Sequence, residues 1–233
     1  MPTAVFIFHP DLEFFLPRFS RGKTISLTFE DHQSVKHLIE SVGVPHVEVG
    51  RITSNNAQID FSYLPKDGDK INILPVIPGC SIEPRFILDG HLGRLAAYLR
   101  MLGLDTLYQN NIQDSDLAEI ANLEYRILLT RDRRLLMRKT IEHGYCLRSL
   151  EPLTQLSEVV QRFDLAGKVI PFKRCLRCNG ILQSVEKKDV LDRLLPLTKK
   201  YYEEFAFCSG CNQIYWKGSH YLRMSALVAR TTR

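Results

Sequence analysis

Residues 86–132 read FILDGHLGRLAAYLRMLGLDTLYQNNIQDSDLAEIANLEYRILLTRD. Short apolar segments here lead directly into helix-forming segments, a pattern typical of α/β proteins. Asp89 follows the apolar residues 86–88, and Asp132 follows closely on the apolar segment Ile127–Thr130. The carboxyl ends of parallel strands share one rim of a sheet, and open α/β sheets bind ligands outside that rim. The stretch therefore predicts an α/β fold in which acidic residues from distant positions converge.

The same alternation of strand and helix continues to about residue 166. A helix is predicted over 91–102 because Leu92, Leu95 and Leu99 recur at helical spacing before Gly103. The other predicted strands are 106–108, 126–130 and 145–150, and the other predicted helices are 114–122, 133–143 and 154–163. Strict alternation with short connections predicts a parallel sheet with right-handed crossovers.

The N-terminal segment, residues 1–78, has a different pattern, in which the predicted order is β-β-α-β-β, typical of a β-grasp domain. The sequence SVKHLIESVGVPHVEVGRI at 34–52, followed by DGDKINILPV at 67–76, resembles ubiquitin-like sulfur carriers and the related domain fused to predicted ribonucleases. Such carriers end in a free Gly-Gly, whereas this chain continues through Pro78, Gly79 and Cys80. We therefore expect this segment to be a scaffold or to dock a protein partner, rather than to transfer sulfur.

Three aspartates are the candidate metal ligands and catalytic residues: Asp89, Asp116 and Asp132. Carboxylates a few ångströms apart repel each other by roughly 4 kcal/mol per pair at an effective dielectric near 20. Such a cluster therefore calls for a cation, and Mg²⁺ or Mn²⁺ suits oxygen ligands and phosphate chemistry. The competing interpretation is that each aspartate caps a helix, and one residue can serve both roles.

The third ligand is expected on the middle predicted helix. Asp114, Asp116 and Glu119 all belong to the middle helix, and Asp116 is preferred because it lies in the first turn beside the core-facing Leu117. Asp114 is then the candidate N-cap, and Asp105 is a reserve ligand. His91, near the start of a helix, is expected to be structural rather than catalytic.

Four of the six cysteines form two Cys-x-x-Cys pairs, Cys175/Cys178 and Cys208/Cys211. Four thiolates at this spacing indicate a closed, structural zinc site, with Gly180 and Gly210 expected to ease the turns. Free thiols or a redox pair are the alternatives. Cys80 and Cys146 are expected to be ordinary thiols.

The C-terminal part of the chain is basic. Residues 172–233 hold 12 Lys and Arg against 5 Asp and Glu, which indicates a module that meets a polyanion. Cations can contact phosphates and aromatic rings can stack on unpaired bases, although one of Tyr215 and Trp216 is expected to belong to a small core. The candidate RNA-binding residues are Arg131, Lys173, Arg174, Arg177, Trp216, Lys217 and His220, with Tyr215 and Arg100 as further possibilities.

Several long motifs carry a family resemblance: residues 86–106, RILLTRDRRLL at 126–136, KRCLRCNG at 173–180 and YWKGSHY at 215–221. They resemble the Mut-seven C-terminal ribonuclease domain family, whose fold is PIN-like. The resemblance implies a PIN-like three-layer domain over residues 85–168, a zinc ribbon over 171–224, and metal-dependent hydrolysis of RNA. PIN-like nucleases use three or four acids, and a fourth is not evident in this chain.

The sequence as a whole therefore predicts a metal-dependent ribonuclease with catalytic Mg²⁺ or Mn²⁺, structural Zn²⁺, and RNA as its partner, tRNA or another structured RNA included. The rival hypotheses are a non-catalytic RNA-binding or adaptor protein and a sulfur-transfer accessory protein. No apolar run reaches the ~18 residues that span a bilayer, so no membrane association is expected. The first residues lack the basic start of a secretory signal, so the expected location is the cytoplasm.

Overall fold

The computed structural model describes residues 1–79 and 82–231, so the thiol expected at Cys80 lies outside the described residues. The strands are β1 (Thr3–Phe8), β2 (Ile25–Thr28), β3 (Val49–Ser54), β4 (Ala57–Ile59), β5 (Lys70–Pro75), β6 (Arg85–Leu88), β7 (Asp105–Tyr108), β8 (Ile127–Thr130), β9 (Gly144–Cys146), β10 (Gln183–Val185), β11 (Phe205–Phe207) and β12 (Ile214–Trp216). The helices are α1 (Val35–Ser41), α2 (Gly93–Met101), α3 (Asp114–Leu123), α4 (Arg133–Leu136), α5 (Pro152–Arg162), α6 (Lys187–Val190), α7 (Pro196–Tyr201) and α8 (Ser219–Thr231).

The chain forms two compact units. The first unit combines Met1–Ile77 with Asp114–Cys146, and the second combines Pro78–Gln113 with Leu147–Arg233. Each unit contains part of the predicted nuclease segment, and the division into domains at 1–78, 85–168 and 171–224 stays a prediction.

The first unit contains a five-stranded sheet in the order β2-β1-β5-β3-β4. Strand β1 pairs antiparallel with β2 and parallel with the central strand β5, which confirms the predicted β-grasp arrangement. Strand alternation turns Phe6, Ile71 and Ile73 inward, where each is fully buried, with Ile39 of α1 also in the core. The sequence pattern missed β4, because three residues are too few to show alternation. The turn before it has positive φ at Asn55 and Asn56.

The first unit also holds α3, β8, α4 and β9, with β8 and β9 paired in parallel. Hydrogen bonds join this portion to the β-grasp portion. Arg133 Nη1 donates to the Phe15 carbonyl at 2.8 Å, and Cys146 N–H donates to Glu48 Oε1 at 2.7 Å. His46 Nε2 contacts the carbonyl oxygen of Ile141 at 2.8 Å. The β-grasp segment is therefore packed into a larger unit.

The predicted helix over 133–143 was wrong beyond Leu136, where α4 ends. Met137 N–H donates to the carbonyls of both Arg133 and Arg134, and the chain then turns away. Thr140 and Ile141 are β-branched and favour helices weakly, and Ile141 is 1% exposed in the position where it meets His46. The free energy gained by burying Ile141 therefore exceeds what a longer helix α4 would contribute.

In the second unit, β6 and β7 pair in parallel and α2 packs beside β7. Helix α2 ends before Gly103, as predicted, because Gly103 adopts φ +85° and a Cβ there would meet the Ile170 carbonyl oxygen at 2.0 Å. The unit continues through α5 to an antiparallel sheet in the order β10-β11-β12. The fold class is thus confirmed as mixed α/β with parallel strands, a β-grasp portion and a cysteine-bearing ribbon near the C-terminus.

Candidate functional site

The four paired cysteines converge in the second unit. The ligand atoms of Cys175, Cys178, Cys208 and Cys211 all lie within 4.8 Å of one another. The closest approaches are 3.5 Å between the sulfurs of Cys175 and Cys211 and 3.4 Å between those of Cys178 and Cys208. A disulfide needs about 2.05 Å. A tetrahedron of thiolates about 2.3 Å from a zinc ion has edges of roughly 3.8 Å. These residues can therefore hold a metal ion such as zinc.

The two cysteine pairs adopt matching backbone turns. Asn179 N–H donates to the Cys175 carbonyl at 3.0 Å, and Asn212 N–H donates to the Cys208 carbonyl at 2.8 Å. Asn179 and Asn212 each follow the second cysteine of a pair and have φ of +72° and +60°. The left-handed residues are therefore these asparagines, and the expectation that Gly180 and Gly210 fill this role was wrong.

Gly180 has a different function, because a Cβ there would lie 3.1 Å from Cys208 Sγ. It makes room for the sulfur cluster. Asparagine tolerates the left-handed region better than other residues with a side chain, so an Asn after each pair is a usable sequence signal that was overlooked.

Tyr215 supports the cluster from β12. Its hydroxyl lies 3.1 Å from Cys175 Sγ. Burial alone would raise the pKa of the Cys175 thiol, but the Tyr215 hydroxyl and backbone N–H groups of Cys178 and Arg177 lower it to about 6. Burial, together with this hydrogen bond, raises the pKa of Tyr215. Tyr215 therefore stays a hydrogen-bond donor that favours the thiolate, the form that binds metal.

Arg100 is a buried structural residue, so the expectation that it binds RNA was wrong. It is 4% exposed, and its Nε donates to the Thr106 carbonyl at 2.9 Å. Its Nη1 donates to the carbonyls of Leu176 and Arg177, between the first two cysteines. Burial lowers the pKa of the guanidinium, while the nearby thiols and Asp105 oppose that change. Arg100 thus fixes the first cysteine turn to α2 and β7.

Asp105 and Asn179 form a second connection between β7 and the same turn. Asn179 Oδ1 accepts from Thr106 N–H at 3.0 Å, and its Nδ2 donates to Asp105 Oδ1 at 2.8 Å. Arg174 lies 3.3 Å from the other carboxylate oxygen of Asp105 and donates to the Asn179 carbonyl at 3.0 Å. Asp105, the reserve metal ligand, is thus engaged in these contacts, and RNA binding by Arg174 stays a prediction.

Asp89 belongs to the second unit and directly follows β6. Its side chain is 19% exposed, and its Oδ2 lies 3.3 Å from His91 Nδ1. Its carbonyl accepts from Leu92 N–H at 3.0 Å, at the start of α2. His91 thus contacts this carboxylate just before α2, and its structural role stays a prediction.

Asp116 and Asp132 belong to the first unit. Asp116 is exposed in the first turn of α3, where Ser115 Oγ lies 3.2 Å from its Oδ1. Asp114, the first residue of α3, lies 3.8 Å from Arg138 Nη2. Asp132 caps α4 by accepting from Arg134 N–H at 2.8 Å, and its own N–H donates to Thr130 Oγ1 at 2.9 Å. Capping and metal binding remain compatible, since the cap uses one carboxylate oxygen.

The predicted RNA-binding residues have varied surroundings. Lys217 forms an ion pair with Glu204 at 2.5 Å, which raises the pKa of Lys217. Trp216 is 38% exposed, whereas Tyr215 is partly buried beside the cysteines. His220 Nδ1 lies 3.2 Å from Arg223 Nη2. The remaining candidates all have exposed side chains: Arg131, Lys173 and Arg177.

Comparison with known proteins supports this architecture. Residues 84–228 match the family described as the Mut7-C RNAse domain, and residues 1–79 match the Mut7-C ubiquitin domain. Among solved structures, the crystal structure of SAMP1 from Haloferax volcanii is similar at 14% identity over 34% of this chain and 99% of that chain, with a TM-score of 0.26. A search of curated proteins finds no significant match. None of the helices in residues 1–79 and 82–231 has the length and apolar character needed to cross a membrane.

Proposed function

Because this chain belongs to the Mut7-C RNAse domain family, we propose that it is a metal-dependent ribonuclease that hydrolyses RNA phosphodiester bonds. The family match over residues 84–228 carries the proposal, since it covers the β6 to α8 portion of the chain. The proposed organisation has three segments: a ubiquitin-like segment at 1–78, a PIN-like catalytic segment at 85–168 and a zinc ribbon at 171–224.

Asp89, Asp116 and Asp132 are the residues that would hold Mg²⁺ or Mn²⁺. Their chemistry fits, because carboxylate oxygens are the ligands these hard cations prefer. A bound ion lowers the pKa of water and neutralises charge on the reacting phosphate. Support comes from position within each unit: Asp89 directly follows a parallel strand, Asp132 follows another by two residues, and Asp116 lies in the first turn of a helix.

The chain's own residues orient these carboxylates. His91 lies beside Asp89, and the Arg134 N–H fixes one oxygen of Asp132. Arg131, exposed and adjacent to Asp132, is proposed to contact the RNA backbone. The four cysteines are proposed to hold structural Zn²⁺, and the ribbon is proposed to add RNA affinity through Lys173, Arg177, Trp216, Lys217 and His220. The location in the cytoplasm stays a prediction from the sequence.

The test is cleavage of labelled single-stranded and structured RNA with Mg²⁺, Mn²⁺ or no divalent ion. The Asp89→Asn and Asp132→Asn variants run in parallel, with Asp164→Asn as the control. Asp164 is exposed, and its φ of +48° is a conformation that asparagine tolerates. Metal-dependent cleavage that is lost in the first two variants and retained in the control supports the proposal. RNA binding without cleavage under every condition favours the adaptor function instead.

A further inference from the structure

A groove of ≈ 570 Å³ lies within the ribbon portion of the second unit. It is bounded by the segment after Pro171, by strands β10 to β12, and by the first turns of α8. This volume is in the range of sites that take small organic ligands. None of the four cysteines lines it, so it is separate from the metal centre.

Aromatic side chains from three parts of the chain meet at the groove. The rings of Phe172 and Tyr221 pack against each other with centroids 4.6 Å apart. Trp216 lines the groove from β12 and keeps 38% of its surface exposed, although a large aromatic residue gains by burial. An exposed indole and a packed aromatic pair that line the same groove offer a surface on which a flat, unsaturated ligand can stack.

The charges around the groove favour an anion over a cation. Its two acidic residues are already neutralised, since Glu204 pairs with Lys217 at 2.5 Å and Glu203 with Lys187 at 2.6 Å. Arg174 also lines the groove but is paired with Asp105 at 3.3 Å, so the exposed Lys173 next to it is the cation with the freer charge. The surrounding C-terminal region has a net charge of +7 over residues 172–233. A ligand that combines a flat apolar ring with a phosphate therefore complements this surface.

We propose that this groove binds one unpaired nucleotide of RNA, with its base stacked on Trp216 in the groove that Phe172 and Tyr221 also line. This inference rests on the proposed function, because it makes RNA the substrate and assigns it a single-stranded segment outside the catalytic residues. Bases within an A-form duplex are stacked on each other and cannot enter such a groove, whereas splayed bases can.

The groove shares a wall with the metal centre. Tyr215 lines the groove, and its hydroxyl lies 3.1 Å from Cys175 Sγ. Metal loss removes the support of this wall, so metal removal abolishes nucleotide binding as well as ribbon stability.

Trp216 makes the test direct because it is the one tryptophan of the chain. Its fluorescence is titrated with a short single-stranded oligoribonucleotide, with the matching duplex, and with an apolar peptide. The full-length Asp89→Asn protein is used without added Mg²⁺ or Mn²⁺, so that the RNA stays intact. We expect saturable quenching by the single strand and none by the duplex.

The variants are Tyr221→Leu, Tyr221→Phe and, as the control on the same helix, Leu222→Ala. Leu222 is 68% exposed. We expect Tyr221→Leu to weaken binding of the single strand about tenfold or more, with Tyr221→Phe and Leu222→Ala close to the parent. Circular dichroism and zinc content are measured for each variant to check that the ribbon is folded. Tyr221→Phe keeps the aromatic ring and tests the proposal even if Tyr221→Leu unfolds the ribbon.

Absence of quenching by any RNA overturns the proposal, as does equal quenching in Tyr221→Leu, or quenching by the apolar peptide alone. This result is independent of catalysis. If the groove binds RNA but the Asp89→Asn protein cleaves RNA once Mg²⁺ or Mn²⁺ is added, the proposed catalytic site is wrong and the proposal for the groove is unaffected. If RNA is cleaved as expected but Trp216 fluorescence does not respond to RNA, the proposal for the groove is wrong and the proposed ribonuclease activity is retained.

Discussion

The Arg100 guanidinium donates a hydrogen bond of 3.1 Å to the Leu176 carbonyl, 76 residues further along the chain. The same Nη1 donates to the Arg177 carbonyl at 3.0 Å, and Nε donates to the Thr106 carbonyl at 2.9 Å. One buried cation therefore connects α2, β7 and the first cysteine turn. The cysteine centre and the start of the predicted nuclease segment are linked through this residue.

Replacement of this cation should be severely destabilising. Arg100→Met keeps most of the apolar stem but leaves three carbonyls without this donor, at about 1–3 kcal/mol for each buried group that stays unsatisfied. We expect a loss of roughly 3 kcal/mol or more in the free energy of unfolding, measured by urea denaturation. Arg94→Met, at an exposed position on the same helix, should change stability by less than about 0.5 kcal/mol. Equal effects in the two variants would contradict this structural role.

Metal removal should unfold the ribbon and leave the first unit folded. The ribbon core is small, with Val190, Leu194, Phe205 and Ile214 as its buried apolar cluster. Metal ligation in such a module supplies much of its folding free energy. A strong chelator or Cys175→Ser should therefore abolish stoichiometric zinc binding. The NMR signals of residues 175–216 should then lose the chemical-shift dispersion of the folded state. Cys146→Ser, at a buried cysteine outside the cluster, should retain zinc. An unchanged ribbon spectrum without metal would contradict the prediction.

Periodicity and motif spacing predicted the larger elements and the cysteine cluster, because these follow from local rules. Helix α2 with its stop at Gly103 and the two Cys-x-x-Cys turns are visible in short stretches of sequence. The contacts of Arg100 with Leu176 and of Arg133 with Phe15 are not, because these partners lie 76 and 118 residues away. The early end of α4 likewise depends on burial of Ile141, a tertiary effect that outweighs helical propensity. Contacts between residues far apart in the chain were thus not predictable from local sequence patterns.

The buried carboxylate of Asp69 should make the first unit sensitive to acid. Burial alone would raise its pKa, but hydrogen bonds from Lys66 N–H, the Tyr63 hydroxyl and the Asn55 amide lower it below 3.8. Because the pKa of Asp69 is lower in the folded state than in the unfolded state, where it is about 3.9, the ionised carboxylate stabilises the fold at pH values above about 3.9. This stabilisation is lost as the pH falls through the folded-state pKa.

Asp69→Asn should therefore reduce the free energy of unfolding by about 2 kcal/mol at pH 7, through weakened hydrogen bonds at a buried site. The difference from the parent should shrink as the pH falls below about 4. Urea titrations of both proteins at pH 7, 5 and 3 measure this. A difference that stays constant over that range would show that the Asp69 charge does not contribute.

Arg133 should be the main connection between the β-grasp portion and the rest of the first unit. Its guanidinium donates to the carbonyls of Phe14 and Phe15 and lies 4.9 and 5.2 Å from the centroids of their rings. Arg133→Met should cost about 2 kcal/mol, since it removes two charged hydrogen bonds and two cation–π contacts. The matched control is Arg134→Met, at the adjacent exposed position. Hydrogen exchange should show faster opening around Phe14 and Phe15 in the first variant alone.

Variants of Asp132 can distinguish an effect on stability from an effect on RNA cleavage. Its carboxylate caps a helix in the structure, and other residue types can also form that cap. It caps α4 by accepting from Arg134 N–H at 2.8 Å. Asparagine and serine are also good N-caps, whereas alanine is not. Asp132→Asn and Asp132→Ser should keep stability within about 0.5 kcal/mol of the parent, and Asp132→Ala should lose about 1 kcal/mol.

Cleavage of RNA should respond differently in this series. If Asp132 holds the catalytic metal, all three variants lose activity by at least about a hundredfold, since each removes the anionic ligand. If Asp132 is only a cap, activity follows stability, and the asparagine and serine variants cleave like the parent. Initial rates at saturating Mg²⁺ or Mn²⁺, set against the unfolding free energies of the same preparations, decide between the two roles.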